Sequence, residues 1–194
     1  MKTNLSLLAF ILFGLLSGVA NAQLVVTNPT FPADNDPVEI IFNAALGNGG
    51  LAGYTGDVYA HTGVITNLST GPSDWKYVKT NWGQNTAATK LERIGTDLYK
   101  LVISPDVRQY YNVPAAEQIL KMAFVFRSGV QVGGQWLEGK TETGGDIFVD
   151  IYPEGLFTRI SLPAEDALLV EQGEQITINA ISNSADSMFL FINN

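Results

Sequence analysis

Gly53-Tyr54-Thr55-Gly56-Asp57-Val58-Tyr59-Ala60-His61-Thr62-Gly63-Val64 alternates, in its second half, small core-type residues with ring-bearing and polar ones. A two-residue period marks a half-buried β-strand. Val58, Ala60 and Thr62 share one face and are small enough for a packed core. Asp57, Tyr59, His61 and Gly63 share the other. One strand of this kind is not stable alone, so the chain on either side decides the architecture.

Upstream, Gln23 to Thr27 and Val38 to Asn43 read as strands. Between them Asn28-Pro29, Phe31-Pro32 and Asp36-Pro37 interrupt regular structure. Gly47, Gly49, Gly50, Gly53 and Gly56 make the next segment a loop. Asp and Asn side chains there and at Asp146 suit turn chemistry; no calcium-loop spacing accompanies them.

Downstream, Trp75-Lys76-Tyr77-Val78-Lys79 alternates again and predicts a strand, with Trp75, Tyr77 and Lys79 on one face. Lys90 to Ile94 and Leu98 to Ile103 pair around Gly95-Thr96-Asp97, a hairpin turn. Ser104-Pro105-Asp106 predicts a short helix with Ser104 as its N-cap and Pro105 at the first helical position. Asn112 and Pro114 end it near Tyr111. Leu120 to Arg127 is a long strand with Leu120, Met122, Phe124 and Phe126 on one face. A glycine-rich excursion over 129–145 carries Trp136, and Asp146 to Tyr152 closes the set. Many short strands with one brief helix predict an all-β fold, an immunoglobulin-like β-sandwich over residues 23–152.

Pro153 opens a second unit over 153–194, with strands at Phe157 to Leu162, Gln175 to Ile181 and Met188 to Ile192. Phe31-Pro32-Ala33-Asp34 is echoed by Leu162-Pro163-Ala164-Glu165. Ile40-Ile41-Phe42-Asn43-Ala44 is echoed by Ile176-Thr177-Ile178-Asn179-Ala180. The unit therefore reads as the truncated start of a second β-sandwich. Such a sandwich needs ~7 strands, so the chain is expected to be a fragment of something longer.

The N-terminus predicts export. Lys2 precedes an apolar run from Leu5 to Val19, and Ala20-Asn21-Ala22 is an A-x-A cleavage site, so residues 1–22 read as a signal peptide. With no cysteine in the chain, neither a disulfide nor a lipoprotein anchor is available. The expected location is secreted or periplasmic, with no membrane anchor. The net charge of −8 argues against nucleic acid, which needs clustered Lys and Arg.

Catalytic motifs are missing. His61 is the one histidine, so the usual zinc sets and a Cys-His pair are excluded. No Gly-x-Ser-x-Gly elbow accompanies it, and no phosphate or dinucleotide loop appears. No cofactor or metal is implied. What remains is a run of aromatic residues: Tyr54, Tyr59, His61, Trp75, Tyr77 and Trp82. Aromatic planes stack on the C–H faces of sugars, while polar tips bind hydroxyls. Tyr59 and His61 stand roughly 7 Å apart along a strand, the scale of neighbouring sugar rings. The same rings also suit a sandwich core, where a buried tryptophan is common.

Asp57-Val58-Tyr59-Ala60-His61-Thr62-Gly63 followed by Ser73-Asp74-Trp75-Lys76-Tyr77-Val78 resembles the N-terminal β-sandwich modules of secreted α-amylase-family glycoside hydrolases from Bacteroidetes. Leu98 to Ile103, Ser104-Pro105 with Tyr110-Tyr111, Val113-Pro114 and Lys121-Met122-Ala123-Phe124-Val125-Phe126-Arg127 continue the resemblance. It covers most of 24–150 and, more weakly, the second unit. A looser similarity is to the starch-binding modules of carbohydrate-binding family 26, whose Val-Tyr-Ala-Tyr strand and following Trp form a sugar platform. By position Tyr59, His61 and Trp75 would be that platform, with Trp82 and Gln84 at its rim. His61 stands where a second tyrosine is expected, which weakens stacking. The resemblance implies a non-catalytic module that binds α-glucan (starch or maltooligosaccharide) or serves as an accessory to an amylase-like catalytic domain in the same polypeptide. The alternative is a structural spacer with no ligand.

Overall fold

The computed structural model describes residues 23–163, 169–183 and 185–191. The expected signal peptide lies outside these residues, as do Ala164-Glu165 of the internal echo and Ile192 of the last expected strand. In chain order the elements are β1 (Val25–Asn28), β2 (Val38–Asn43), β3 (Val58–Thr66), β4 (Glu92–Gly95), β5 (Leu98–Ile103), α1 (Val107–Tyr111), β6 (Ile119–Ser128), β7 (Glu138–Gly139), β8 (Ile147–Asp150), β9 (Thr158–Leu162) and β10 (Asn179–Ser182).

Two antiparallel sheets pack face to face. One has the order β1-β2-β5-β4. In the other, β6 pairs with β3 on one side and with β7 and β8 in succession on the other. Lettered by position, these are A-B-E-D and C-F-G, the strand orders of an immunoglobulin-type sandwich, with the last place divided between β7 and β8. The all-β expectation with one short helix holds.

The alternation of β3 sets its register. Val58, Ala60 and Thr62 are fully buried, while Tyr59 and His61 are half-buried on the outer face. Opposite them Val58 pairs with Ser128, Ala60 with Phe126 and Thr62 with Phe124. The core joins Ile40 and Phe42 of β2 and Tyr99, Leu101 and Ile103 of β5 to Met122, Phe124 and Phe126 of β6. Phe42 stacks on Phe126 with centroids 4.2 Å apart. Full burial of one such side chain contributes ~1.5–3 kcal/mol. Gly139 of β7 closes over this pair: a Cβ there would lie 2.4 Å from Phe42 Cζ.

Several expectations are corrected. Leu120 does not share the core face of Met122, Phe124 and Phe126; it is 38% exposed and Ile119 is buried instead. A register shift between Ile65 and Thr66 sets an extra β6 residue against β3, and the alternation changes phase. The helix is capped by Asp106, not Ser104, and Pro105 precedes it. The Asp106 carboxylate accepts from the Gln109 amide at 2.7 Å, the bond an N-cap is selected to make. Asn112 ends the helix in the left-handed region, φ 59°, as expected of a short polar side chain at that position.

Trp75–Lys79 does not form a strand. Tyr77 takes a left-handed φ of 52°, which breaks the alternation, so Trp75 and Tyr77 do not follow one pleat. The segment still lies along the free edge of β3. Lys76 and Val64 exchange both backbone bonds, at 2.8 and 2.9 Å, and the Lys79 amide donates to Thr62 O at 2.9 Å. That edge of β3 is thereby covered, and the chain is then carried across the outer face of the C-F-G sheet.

Beyond Tyr152, β9 and β10 form a two-stranded antiparallel ribbon. The second strand begins at Asn179, later than the expected Gln175, and 188–191 form no strand. The ribbon meets the sandwich through Phe31, Tyr152 and Phe157, whose rings lie 5.1–6.3 Å apart.

Candidate functional site

The outer face of β3 and β6 carries the aromatic cluster. His61 points outward because Ala60 and Thr62 point into the core. The segment along the β3 edge delivers Trp75, and the turn after Thr80 delivers Trp82. His61 and Trp75 stack with centroids 5.7 Å apart and planes 26° apart. Trp82 meets the same imidazole edge-on, at 5.2 Å and 79°. The two indoles are therefore inclined to each other by no less than the difference of those angles. They make a corner, not a flat platform.

A shallow cavity of about 420 Å³ opens at this corner. His61, Trp75, Trp82 and Val125 line it together with Ser73, Asp74, Lys140 and Asp146. Apolar rings on one side and hydroxyl, ammonium and carboxylate groups on the other suit a polyhydroxylated ligand. Trp82 is 44% exposed. Trp75 is half-buried, and its indole N–H is taken by Pro72 O at 3.0 Å. Only the ring face of Trp75 turned away from His61 remains for a ligand.

Electrostatics fix the charge states. Burial holds His61 below its ordinary pKa. The charge of Arg127 adds to that shift, and Asp146 opposes it. Nδ1 of His61 is buried without a partner. In a hydrolytic triad that atom would be held by a carboxylate. A hydrogen bond from Lys76, with Thr70 adding its amide and hydroxyl, holds the Asp74 carboxyl below its ordinary pKa. A carboxylate so engaged shapes a turn and is a poor general acid. Among the described residues no group of three metal-ligating side chains is found.

Of the five expected site residues, the structure brings together His61, Trp75 and Trp82. Tyr59 lies one pleat away, opposite Arg127, with the guanidinium 5.6 Å from its ring centre. Gln84 turns back into its own loop, where its Oε1 accepts from the Asn81 amide at 3.2 Å. Lys140 and Asp146 were not among the expected residues. They are the first and last residues of the connection between β7 and β8, and no local sequence pattern joins them to His61. Among the described residues no helix is long and apolar enough to cross a membrane. No family model matches the chain, and no curated protein matches it significantly.

Proposed function

We propose that the chain is a non-catalytic module that binds α-glucan through His61, Trp75 and Trp82, as an accessory to a secreted amylase-like enzyme. The observation that carries this reading is the inclination of the two indoles around His61. A flat glycan ribbon presents coplanar sugar faces and asks for coplanar rings. A curved α-linked chain presents successive faces at an angle and suits a corner. The family resemblance of the β3 region points the same way, and it supplies the amylase context.

Few stacking contacts leave little surplus over the cost of association, so the dissociation constant is on the order of 0.1–1 mM. Calorimetric titration of the mature chain with maltoheptaose tests this. Heat and a change in tryptophan emission at millimolar sugar are expected; neither signal appearing would remove the proposal.

The spacer reading has its own observation. His61, Trp75 and Phe148 pack on one another, with Trp75 edge-on to Phe148 at 6.5 Å, as in an internal cluster. Acrylamide quenching of the unaltered chain, followed without and with maltoheptaose, separates the two. Ready quenching, relieved by maltoheptaose, belongs to the binding module, and quenching indifferent to sugar belongs to the spacer.

A further inference from the structure

Arg127 is fully buried, yet no carboxylate pairs with it among the described residues. Its charge is met by carbonyls and rings. Nη1 donates to Ser128 O at 3.0 Å and Nη2 to Gln84 O at 2.6 Å. The guanidinium lies 5.6 Å from the Tyr59 ring centre and 4.9 Å from that of Trp136. Nε has no partner at all. Burying a cation this way is costly, and a well-packed apolar residue would commonly serve stability as well or better. The stability of the core therefore does not explain why an arginine stands here.

Its contacts do. Gln84 is two residues past Trp82, in the connection that crosses the outer face. Gly83 lies between them, with φ +81°, and a Cβ there would be 3.1 Å from Trp136. Asn85 donates from Nδ2 to Gly129 O at 2.8 Å. Residues 83–85 thus meet Trp136, Arg127 and Gly129 in turn, so the turn packs against the end of β6 and the connection that follows it. The central tie is the arginine fork, which suits the task because its planar donors are pre-organised and its faces stack on aromatic rings.

We infer that Arg127 is a positioning residue, clamped between Tyr59 and Trp136, that holds the Trp82–Asn85 turn and so sets the angle of Trp82 against His61. The inference rests on the proposed site for its functional meaning, but the clamp itself is measurable without sugar. Arg127→Met removes the fork and keeps an unbranched apolar side chain of similar reach.

Amide hydrogen exchange on the full mature chain reads the turn directly. Exchange at Asn81 and Gln84, whose amides bond Gln84 Oε1 and Asn81 O, should accelerate about tenfold or more, with the amides of β2 and β5 little changed. Maltoheptaose affinity should fall about fivefold or more, as happens when a supporting residue is lost. Gly83→Ala attacks the same clamp from the loop side and covers the case in which Arg127→Met is not recovered folded. It should loosen the same two amides. Unchanged exchange at Asn81 and Gln84, or a uniform acceleration across both sheets, would overturn the inference. Absence of maltoheptaose binding by the unaltered protein would remove the proposed function and leave the exchange result to decide on Arg127.

Discussion

Between Trp75 and Trp82, the His61 imidazole is held below the ordinary histidine pKa, first by desolvation and next by Arg127. The unfolded chain titrates this group near 6.5. Below that pH the unfolded state takes up the proton first, so stability is intact above about 6.5 and falls as pH drops toward the folded pKa. A His61→Gln variant should lose less melting temperature between pH 7.5 and 5 than the unaltered chain. Equal slopes would contradict the assignment. Trp82 makes a second test at this scale. Being exposed, it can be cut to alanine with a stability change within about 0.5 kcal/mol. Maltoheptaose affinity should fall about tenfold, as for the truncation of a central contact. At the level of single residues, the sequence showed the faces of β3 but not their partners. Thr62 was legible as a core position. The bonds that allow it there, to Tyr111 Oη at 2.6 Å and Ala123 O at 2.8 Å, come from distant segments. Arg127 read only as the last residue of a strand, because its burial depends on Trp136 and on a loop crossing from elsewhere.

Among the elements, β2 and β5 were legible to the residue, since both alternate cleanly and are bounded by turn-formers. Trp75–Lys79 was not, because a period of two over five residues cannot reveal that one of them turns left-handed. Nor could the bulge that exposes Leu120 be seen, as it arises only when β6 pairs with β3. The two-residue β7 has too little sequence to carry any pattern. Its Gly139 is nonetheless where β7 closes onto the core. Gly139→Ala would drive a Cβ into Phe42, 2.4 Å from Cζ, and should cost about 1–3 kcal/mol through overpacking. Urea unfolding followed by far-UV circular dichroism would read this as a lower midpoint at unchanged slope. An unshifted midpoint would mean that β7 does not seat on the core as described.

At the scale of the whole molecule, strand count and punctuation announced a sandwich, and the pairing supplies the immunoglobulin order. The site was only half legible. The ring-bearing residues could be singled out by type, but their mutual angles come from the long connection between β3 and β4 folding across the C-F-G face. That connection turns the expected flat platform into a corner and sets Tyr59 and Gln84 apart from it. Beyond β10, residues 188–191 leave large apolar side chains in solvent, with Phe189 80% exposed. The indole N–H resonances of the three tryptophans locate the corner. With the chain labelled with nitrogen-15 and maltoheptaose added to millimolar concentration, the Trp82 and Trp75 signals should shift progressively while Trp136, packed on Arg127, stays in place. Three unmoved indole signals, or movement of Trp136 alone, would contradict the account.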